Sequence, residues 1–354
     1  MTDSKSKIQN PKSKIVTWTL VVAALVLFPF IVQLITGQPV DAGTPKFWQG
    51  MMAQVFILAV YAVSYDLLMG YTGILSFGHA MFFGGGAYTS AILLTRVGWD
   101  FWVVLLAVIG VAIAQGILIG VLSLRVHGVY LTMVTLAFAQ MFYIMVKASD
   151  FTKWTGAEDG VTNIPIPEWL SPTNERLRFY YVTLVFAALM YLVARRLVSS
   201  PVGRVMIAIR ENEPRARMIG YNTFIYKLIA VTVSGLLAAL AGFMFALWSS
   251  NANPSMLSAT YTINALVMTI IGGVGTLVGP MIGAGVLQLT GYYLSDIFHD
   301  SAPLIFGIVF ILIVMFFPYG LVGTWQLRGG QWRKVWVGRL RSLSAWRPGE
   351  TDRL

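Results

Sequence analysis

The sequence predicts an all-α integral membrane protein of about ten transmembrane helices, some of them short or broken, with the N and C termini both cytoplasmic. Three observations carry that expectation. Of the 354 residues, 57% are hydrophobic and 11% charged, against about 45–50% and about 25% in a soluble domain. So few charges cannot cover so much apolar surface, and the excess must face lipid. Apolar runs of about twenty residues recur along the chain, each long enough to cross a hydrocarbon core. In lipid, a run of this kind satisfies its backbone only as a helix. Finally, ten crossings sort the 25 lysines and arginines unevenly, nineteen on one side and six on the other. That is the bias of cytoplasmic segments.

Taken in order, a basic tail at 1–14 holds Lys5, Lys7, Lys12 and Lys14 and leads into the first span, 15–36. This stretch is longer than a signal-peptide core and is followed by more spans, so it is expected to be retained. The transmembrane domain, 15–320, continues through spans at 50–69, 74–94, 101–124, 129–147, 179–194, 228–248, 261–272, 276–294 and 303–319. The stretch 261–272 is short for a crossing and contains Thr262, Asn264 and Thr269. An external loop, 148–178, carries Trp154, Glu158, Asp159 and Trp169, and a polar, basic cytoplasmic loop occupies 195–227. In the cytoplasmic tail, 321–354, Trp332, Trp336, Leu340 and Leu343 recur at helical spacing, while Arg333, Lys334, Arg339 and Arg341 fall elsewhere on the wheel. Such a helix would lie on an anionic inner leaflet; a frayed tail is the competing reading.

Chemistry-bearing motifs are absent. Without cysteine there are no disulfides and no thiolate metal sites. The sequence has no HExxH, no GxxxxGK[ST] and no serine with glycine two residues before it, so zinc-protease, phosphate-loop and nucleophile-elbow chemistry are excluded. His79, His127 and His299 are scattered, with no carboxylate at ligand spacing. No metal site and no enzymatic activity are expected, and any nucleotide must belong to a partner. The formal charge of +10 is accounted for by topology and does not call for nucleic acid. Asp66 is the one acidic residue well inside a span. An ion-driven carrier ordinarily needs more than that at mid-membrane, so a helix-end cap or a snorkelling charge is the preferred reading of Asp66.

The glycines say more. In 70–88, Gly73, Ser76, Gly78, Ala80, Gly84 and Ala87 set small residues along much of one span, and in 272–285, Gly275, Gly279 and Gly283 repeat every four residues. Small faces let lipid-embedded helices approach closely. A second reading makes these stretches broken helices, with Tyr71, Thr72, Ser76 and His79 lining a polar translocation path. Both remain open at this point.

The cytoplasmic stretch 199–230 is punctuated like a short helix. Asn212 or Glu213 can cap a helix over about 213–219 whose first turn takes Pro214, and Gly220 is placed to end it. Such a helix fits a lever seated in another protein's groove, with Glu211, Glu213, Arg215 and Arg217 as charged edges. A merely solvated loop is the alternative.

These stretches resemble a known family. GYTGILSFGHAMFFGGGAY (70–88), HGVYLTMVTLAFAQ (127–140), TGAEDGVTNIP (155–165), the coupling loop from Ser199 and ALVMTIIGGVGTLVGPMIGAG (265–285) are similar, in order, to the LivM-type permeases of branched-chain amino-acid ABC importers. The resemblance runs from about residue 50 to 320. It implies a LivH-like second permease, two ATPase subunits holding ATP and magnesium, and a periplasmic or lipid-anchored binding protein, in a bacterial inner membrane. No cofactor is implied on this chain. It further implies that 211–222 is the coupling helix, with Ala216 and Gly220 at an A-x-x-x-G spacing, and that loop 148–178 lies under the binding protein. One departure is the single Gly156 before Glu158 and Asp159, where many relatives have a double glycine. The same architecture importing urea, short amides or other neutral amino acids is the alternative, with an ion-coupled carrier behind it.

Overall fold

The computed structural model describes residues 11–317 and 319–324. Twelve helices follow one another among the described residues: α1 (Pro11–Thr36), α2 (Gly43–Asp66), α3 (Ala80–Ile92), α4 (Phe101–Ser123), α5 (Val129–Lys147), the one-turn α6 (Thr152–Thr155), α7 (Arg176–Ser199), α8 (Pro201–Met218), α9 (Thr223–Ser249), α10 (Ala259–Gly272), α11 (Val278–Phe298) and α12 (Ala302–Phe316). Two short strands, β1 (Val161–Thr162) and β2 (Asn251–Ala252), pair antiparallel and fasten the 148–178 loop to the end of α9.

The protein is an all-α membrane protein. Among the described residues six helical stretches are long and apolar enough to cross a membrane: Gly43–Thr72, Phe101–Ser123, Val129–Lys147, Arg176–Ser199, Thr223–Ser249 and Val278–Thr324. Burial divides them. The apolar windows of α2 and α9 are 89% and 72% buried inside the chain, whereas those of α4, α5 and α7 are 39%, 28% and 28% buried. The first pair forms the core, and the others turn apolar side chains outward, as lipid-facing helices must.

Small residues set the close approaches. A Cβ on Gly86 would meet the backbone of Ala239, and one on Gly242 the backbone of Phe83, so α3 and α9 interlock main chain to main chain. Gly279 and Gly283 do the same for α11 against Gly272 and Met268 of α10. Packing of this kind replaces the hydrophobic drive that lipid removes.

The N-terminal helix docks by another device. Pro29 lies inside α1, and a mid-helix proline leaves the carbonyl four residues earlier without its amide. That carbonyl, of Leu25, accepts the Tyr180 hydroxyl at 2.6 Å, and the carbonyl of Val26 accepts that of Tyr181 at 3.1 Å. The carbonyl that Pro29 frees is therefore satisfied from α7.

Three expectations need correction. The stretch 74–94 is not one helical span: α2 runs into a π-turn, Leu67–Thr72, that stops at Gly73 with φ 71°, and α3 begins only at Ala80. Gly73, Ser76 and Gly78 therefore lie in a break and not on a helix face. Gly275 likewise sits in the turn before α11, with φ 78°, so only Gly279 and Gly283 share the α11 face. Hydropathy averaged over a window cannot see either break, because the residues in both are small or apolar. The surface helix expected around Trp332, Trp336, Leu340 and Leu343 lies outside the described residues, as do residues 1–10 of the basic N-terminal tail.

Candidate functional site

The break between α2 and α3 frees main-chain amides inside the protein, and side chains from distant helices meet them. The Phe77 amide donates to Thr135 Oγ1 at 3.2 Å, and the Ala80 amide donates to Thr262 Oγ1 at 2.9 Å. Gly78 donates to Ser76 Oγ, and Tyr65 donates its hydroxyl to the Ser76 carbonyl at 3.1 Å. Gly78 also lies so close to the Thr135 carbonyl that a side chain there would collide with backbone. His79 closes the inner end. Its ring stacks on Tyr61 with centroids 5.5 Å apart, and Nε2 lies 2.8 Å from Ser64 Oγ. Ser64 donates its one proton to the Tyr61 carbonyl at 2.6 Å, so the imidazole Nε2–H is the donor in the histidine pair.

The turn between α10 and α11 is held differently. Asp66, fully buried at the end of α2, accepts the Gly275 amide on Oδ1 at 2.6 Å and the Leu277 amide on Oδ2 at 3.1 Å. Leu277 has φ 56° and ψ −46°, and the Val278 amide donates to the Thr276 carbonyl at 2.7 Å. This is a γ-turn of the rarer, strained hand, which for a side-chain-bearing residue costs about 1–3 kcal/mol. Two things hold it there: the carboxylate of Asp66, and the burial of the leucine side chain against Val63, Leu67, Tyr71 and Leu237. Thr276 Oγ1 accepts the Gly279 amide at 3.0 Å and caps α11.

The polar, basic stretch 195–227 folds mainly into α8, which is two helices meeting at a kink. Asn212 has φ −159° and ψ 94°, and its Oδ1 accepts the Arg215 amide at 3.0 Å, capping the second helix. Pro214 takes the first turn of that helix, where a missing N–H costs nothing. Gly220, at φ 98°, ends it in a Schellman arrangement: the Tyr221 amide donates to the Ala216 carbonyl and the Gly220 amide to that of Arg217. The local punctuation in the sequence is thus what the backbone uses.

The charged edges of this helix point two ways. Glu213 accepts from Lys227 at 2.5 Å, from Arg217 at 2.7 Å and from Thr223 at 3.1 Å. Burial pushes the Glu213 carboxyl up, but these donors outweigh it and hold the group below the ordinary glutamate range. Arg217 also donates to Thr223 at 2.9 Å and lies 3.4 Å from His127. Glu213 and Arg217 are therefore engaged within the chain and anchor α8 to the start of α9. Glu211, Arg215, Met218 and Ile219 are exposed, and Ala216 is buried beneath them.

Arg210 ties the kinked helix to both breaks. Its guanidinium donates to the Gly70 carbonyl in the π-turn, and its Nη1 lies 3.1 Å from where a Cβ on Gly275 would stand. Gly70, Asp66 and the Gly275 amide are packed together so tightly that Gly70 has no room for a side chain. Beside this cluster a cavity of about 810 Å³ opens, bordered by Thr72, Phe77, His127, Thr132, Arg210 and Glu213. Of the four residues expected on a polar path, Thr72 borders this cavity. Tyr71 packs in the core with Leu277, and Ser76 and His79 are buried in the break that they hold together. Among the described residues no group of three histidines or acidic side chains could hold a metal ion.

Sequence reasoning did not find Arg210, Lys227, Thr135 or Thr262. Arg210 looked like one more topogenic charge, because its partner is a carbonyl with no side-chain signature. The threonines met amides far away in the chain.

Comparison with known proteins bears on this geometry as a whole. Residues 47–317 match the family described as branched-chain amino acid transport system / permease component. The high-affinity branched-chain amino acid permease LivM of Salmonella typhimurium is 28% identical over 335 residues, covering 88% of this chain and 75% of that protein. The probable LivM of Methanocaldococcus jannaschii is 23% identical over 304 residues, 79% of this chain and 86% of the relative. The ribose import permease RbsC of Escherichia coli is 25% identical over 270 residues, 69% and 79% of the two chains. No solved structure matches the chain.

Proposed function

We propose, because this chain belongs to the branched-chain amino acid transport system permease family, that it is the transmembrane permease subunit of an ABC importer and forms half of the pathway for branched-chain amino acids. One observation carries this reading: the family match spans residues 47–317. It therefore includes the two helix breaks, the Asp66 contacts and α8 together.

The chain itself does no catalysis in this reading and binds no cofactor. ATP and magnesium sit on two partner ATPase subunits beneath the membrane, a second, LivH-like permease completes the pathway, and a periplasmic or lipid-anchored binding protein delivers cargo from outside. The chain crosses the inner membrane of a bacterium about ten times with both termini cytoplasmic, a topology supported by the distribution of lysine and arginine. Residues 211–222 act as the coupling helix. Their exposed edge, Glu211, Arg215, Met218 and Ile219, meets an ATPase, while Glu213 and Arg217 fix the helix to α9. Closure of the ATPases displaces this helix and opens the pathway alternately to each face. Loop 148–178 lies under the binding protein.

Reconstitution of the chain with its ATPases, second permease and binding protein in liposomes tests the reading. ATP-dependent accumulation of radiolabelled leucine is expected, with none from this chain alone. Concentrative uptake by the lone chain, or a complete assembly that accumulates ribose but no leucine, would overturn it.

A further inference from the structure

The two helix breaks and α8 meet at one point. Asp66 holds the Gly275 and Leu277 amides, and Arg210 holds the Gly70 carbonyl while its guanidinium rests against Gly275. Arg210 is two residues before Asn212, where α8 kinks. The end of the first half of α8 is thus bonded to the π-turn of α2 and touches the turn between α10 and α11. We propose that Asp66 and Arg210 are positioning residues of transport, forming a clamp that makes α8, the end of α2 and the start of α11 move as one body. The inference rests on the permease reading and deepens it, because it states how displacement of the coupling helix reaches the membrane-embedded breaks.

The chemistry suits a clamp. Asp66 uses both carboxylate oxygens on two amides of a single turn, a bidentate grip that no neutral side chain reproduces, since an amide must turn its NH₂ toward one of the donors. Hydrogen bonds to ionised groups are about twice as strong as neutral ones, and their geometry transmits rotation as well as translation. The hydrogen-bond acceptor of Arg210 is a main-chain carbonyl, that of Gly70. A displacement of α8 is therefore passed through the guanidinium to the backbone of the π-turn itself. Leu277, held in its γ-turn between the Asp66 carboxylate and its own buried side chain, passes the movement to the first turn of α11.

The test uses the complete reconstituted importer and reads leucine taken up per ATP hydrolysed. In Arg210→Gln, ATP hydrolysis is expected to continue while uptake per ATP falls about tenfold, in line with loss of a charged hydrogen bond. The melting temperature in detergent is expected to hold, and Arg210→Lys, which keeps a donor for Gly70, is expected to restore most of the ratio. An unchanged ratio in Arg210→Gln would overturn the clamp. Where that variant fails to assemble, spin labels decide, and the absence of native cysteine makes placement simple. With labels at Ala208→Cys and Ile282→Cys the distance is expected to stay constant through the ATP cycle, while that between Ala208→Cys and Leu106→Cys changes. Equal changes in both distances refute the clamp. This measurement needs no cargo. An assembly that hydrolyses ATP without moving leucine would defeat the cargo assignment and leave the clamp to be judged on the distances.

Discussion

In the break between α2 and α3, the freed amides of Phe77 and Ala80 are met by threonine hydroxyls from α5 and α10. In the turn between α10 and α11, the amides of Gly275 and Leu277 are met by one buried carboxylate from α2. Both are irregular backbone inside a membrane protein, tolerated because protein surrounds them. The first is held by separate neutral bonds, each worth about 0.5–1.5 kcal/mol, and can loosen one bond at a time. The second is held by a single charged group that serves two donors and a strained residue, and it is kept or lost as a unit. The charged device stands beside α8, and the neutral one reaches further into the core. By this difference the stretch nearest α8 is built to move without deforming.

Removing the charged device should have the largest effect. Asp66→Ala leaves two buried amides unmatched and Leu277 without its partner, so a loss of about 3–5 kcal/mol is expected in denaturant titration of the detergent-solubilised protein. A loss below that of a single threonine would erase the contrast between the two breaks. Thr262→Val should cost less, about 1–2 kcal/mol, because it removes neutral hydrogen bonds only, to the Ala80 amide and the Tyr61 hydroxyl. A loss as large as that of Asp66→Ala would mean that the α2–α3 break is also held as a unit.

The smallest expected effect is confined to α8. The Glu213 carboxyl is held below its ordinary value of 4.5, so its ion pairs contribute fully above that value and are lost as pH falls through the lowered one. Acidification from neutrality to below 4.5 should reduce hydrogen-exchange protection of the Gly220 and Tyr221 amides, after correction for intrinsic exchange, before the core amides respond. Protection that stays constant across that range would detach Glu213 from the anchoring of α8.

How much of this was legible depended on the range of the interactions. The apolar content and the distribution of basic residues were enough for an all-α membrane protein. Asn212, Pro214 and Gly220 announced the second half of α8 because a cap, a first-turn proline and a left-handed glycine act within a few residues of one another. The Asp66–Gly275 bond joins positions 209 apart, so that Asp66 stood out as a lone acid in a span and Gly275 as one of a glycine series, but nothing local paired them. The glycines at 73, 78 and 275 were visible but ambiguous. A small residue every few positions is compatible with a packed helix face and with a turn, and only the positive φ of Gly73 and Gly275 separates the two. Glu213 and Arg217 were read as a docking edge because their partners, Thr223 and Lys227, belong to the next helix.

The docking of α1 has a consequence for how this end of the protein can vary. The hydroxyls of Tyr180 and Tyr181 end on carbonyls of the main chain, at Leu25 and Val26, so recognition depends on where the first helix bends, with Phe28 stacked on Tyr180 beside them. Its exposed positions, Leu34 and Ile35 among them, are free to drift, provided that Pro29 keeps its register against Tyr180 and Tyr181. Shifting that imino acid by a single position would rotate the exposed carbonyl about a hundred degrees around the axis and leave the anchor facing the wrong neighbour.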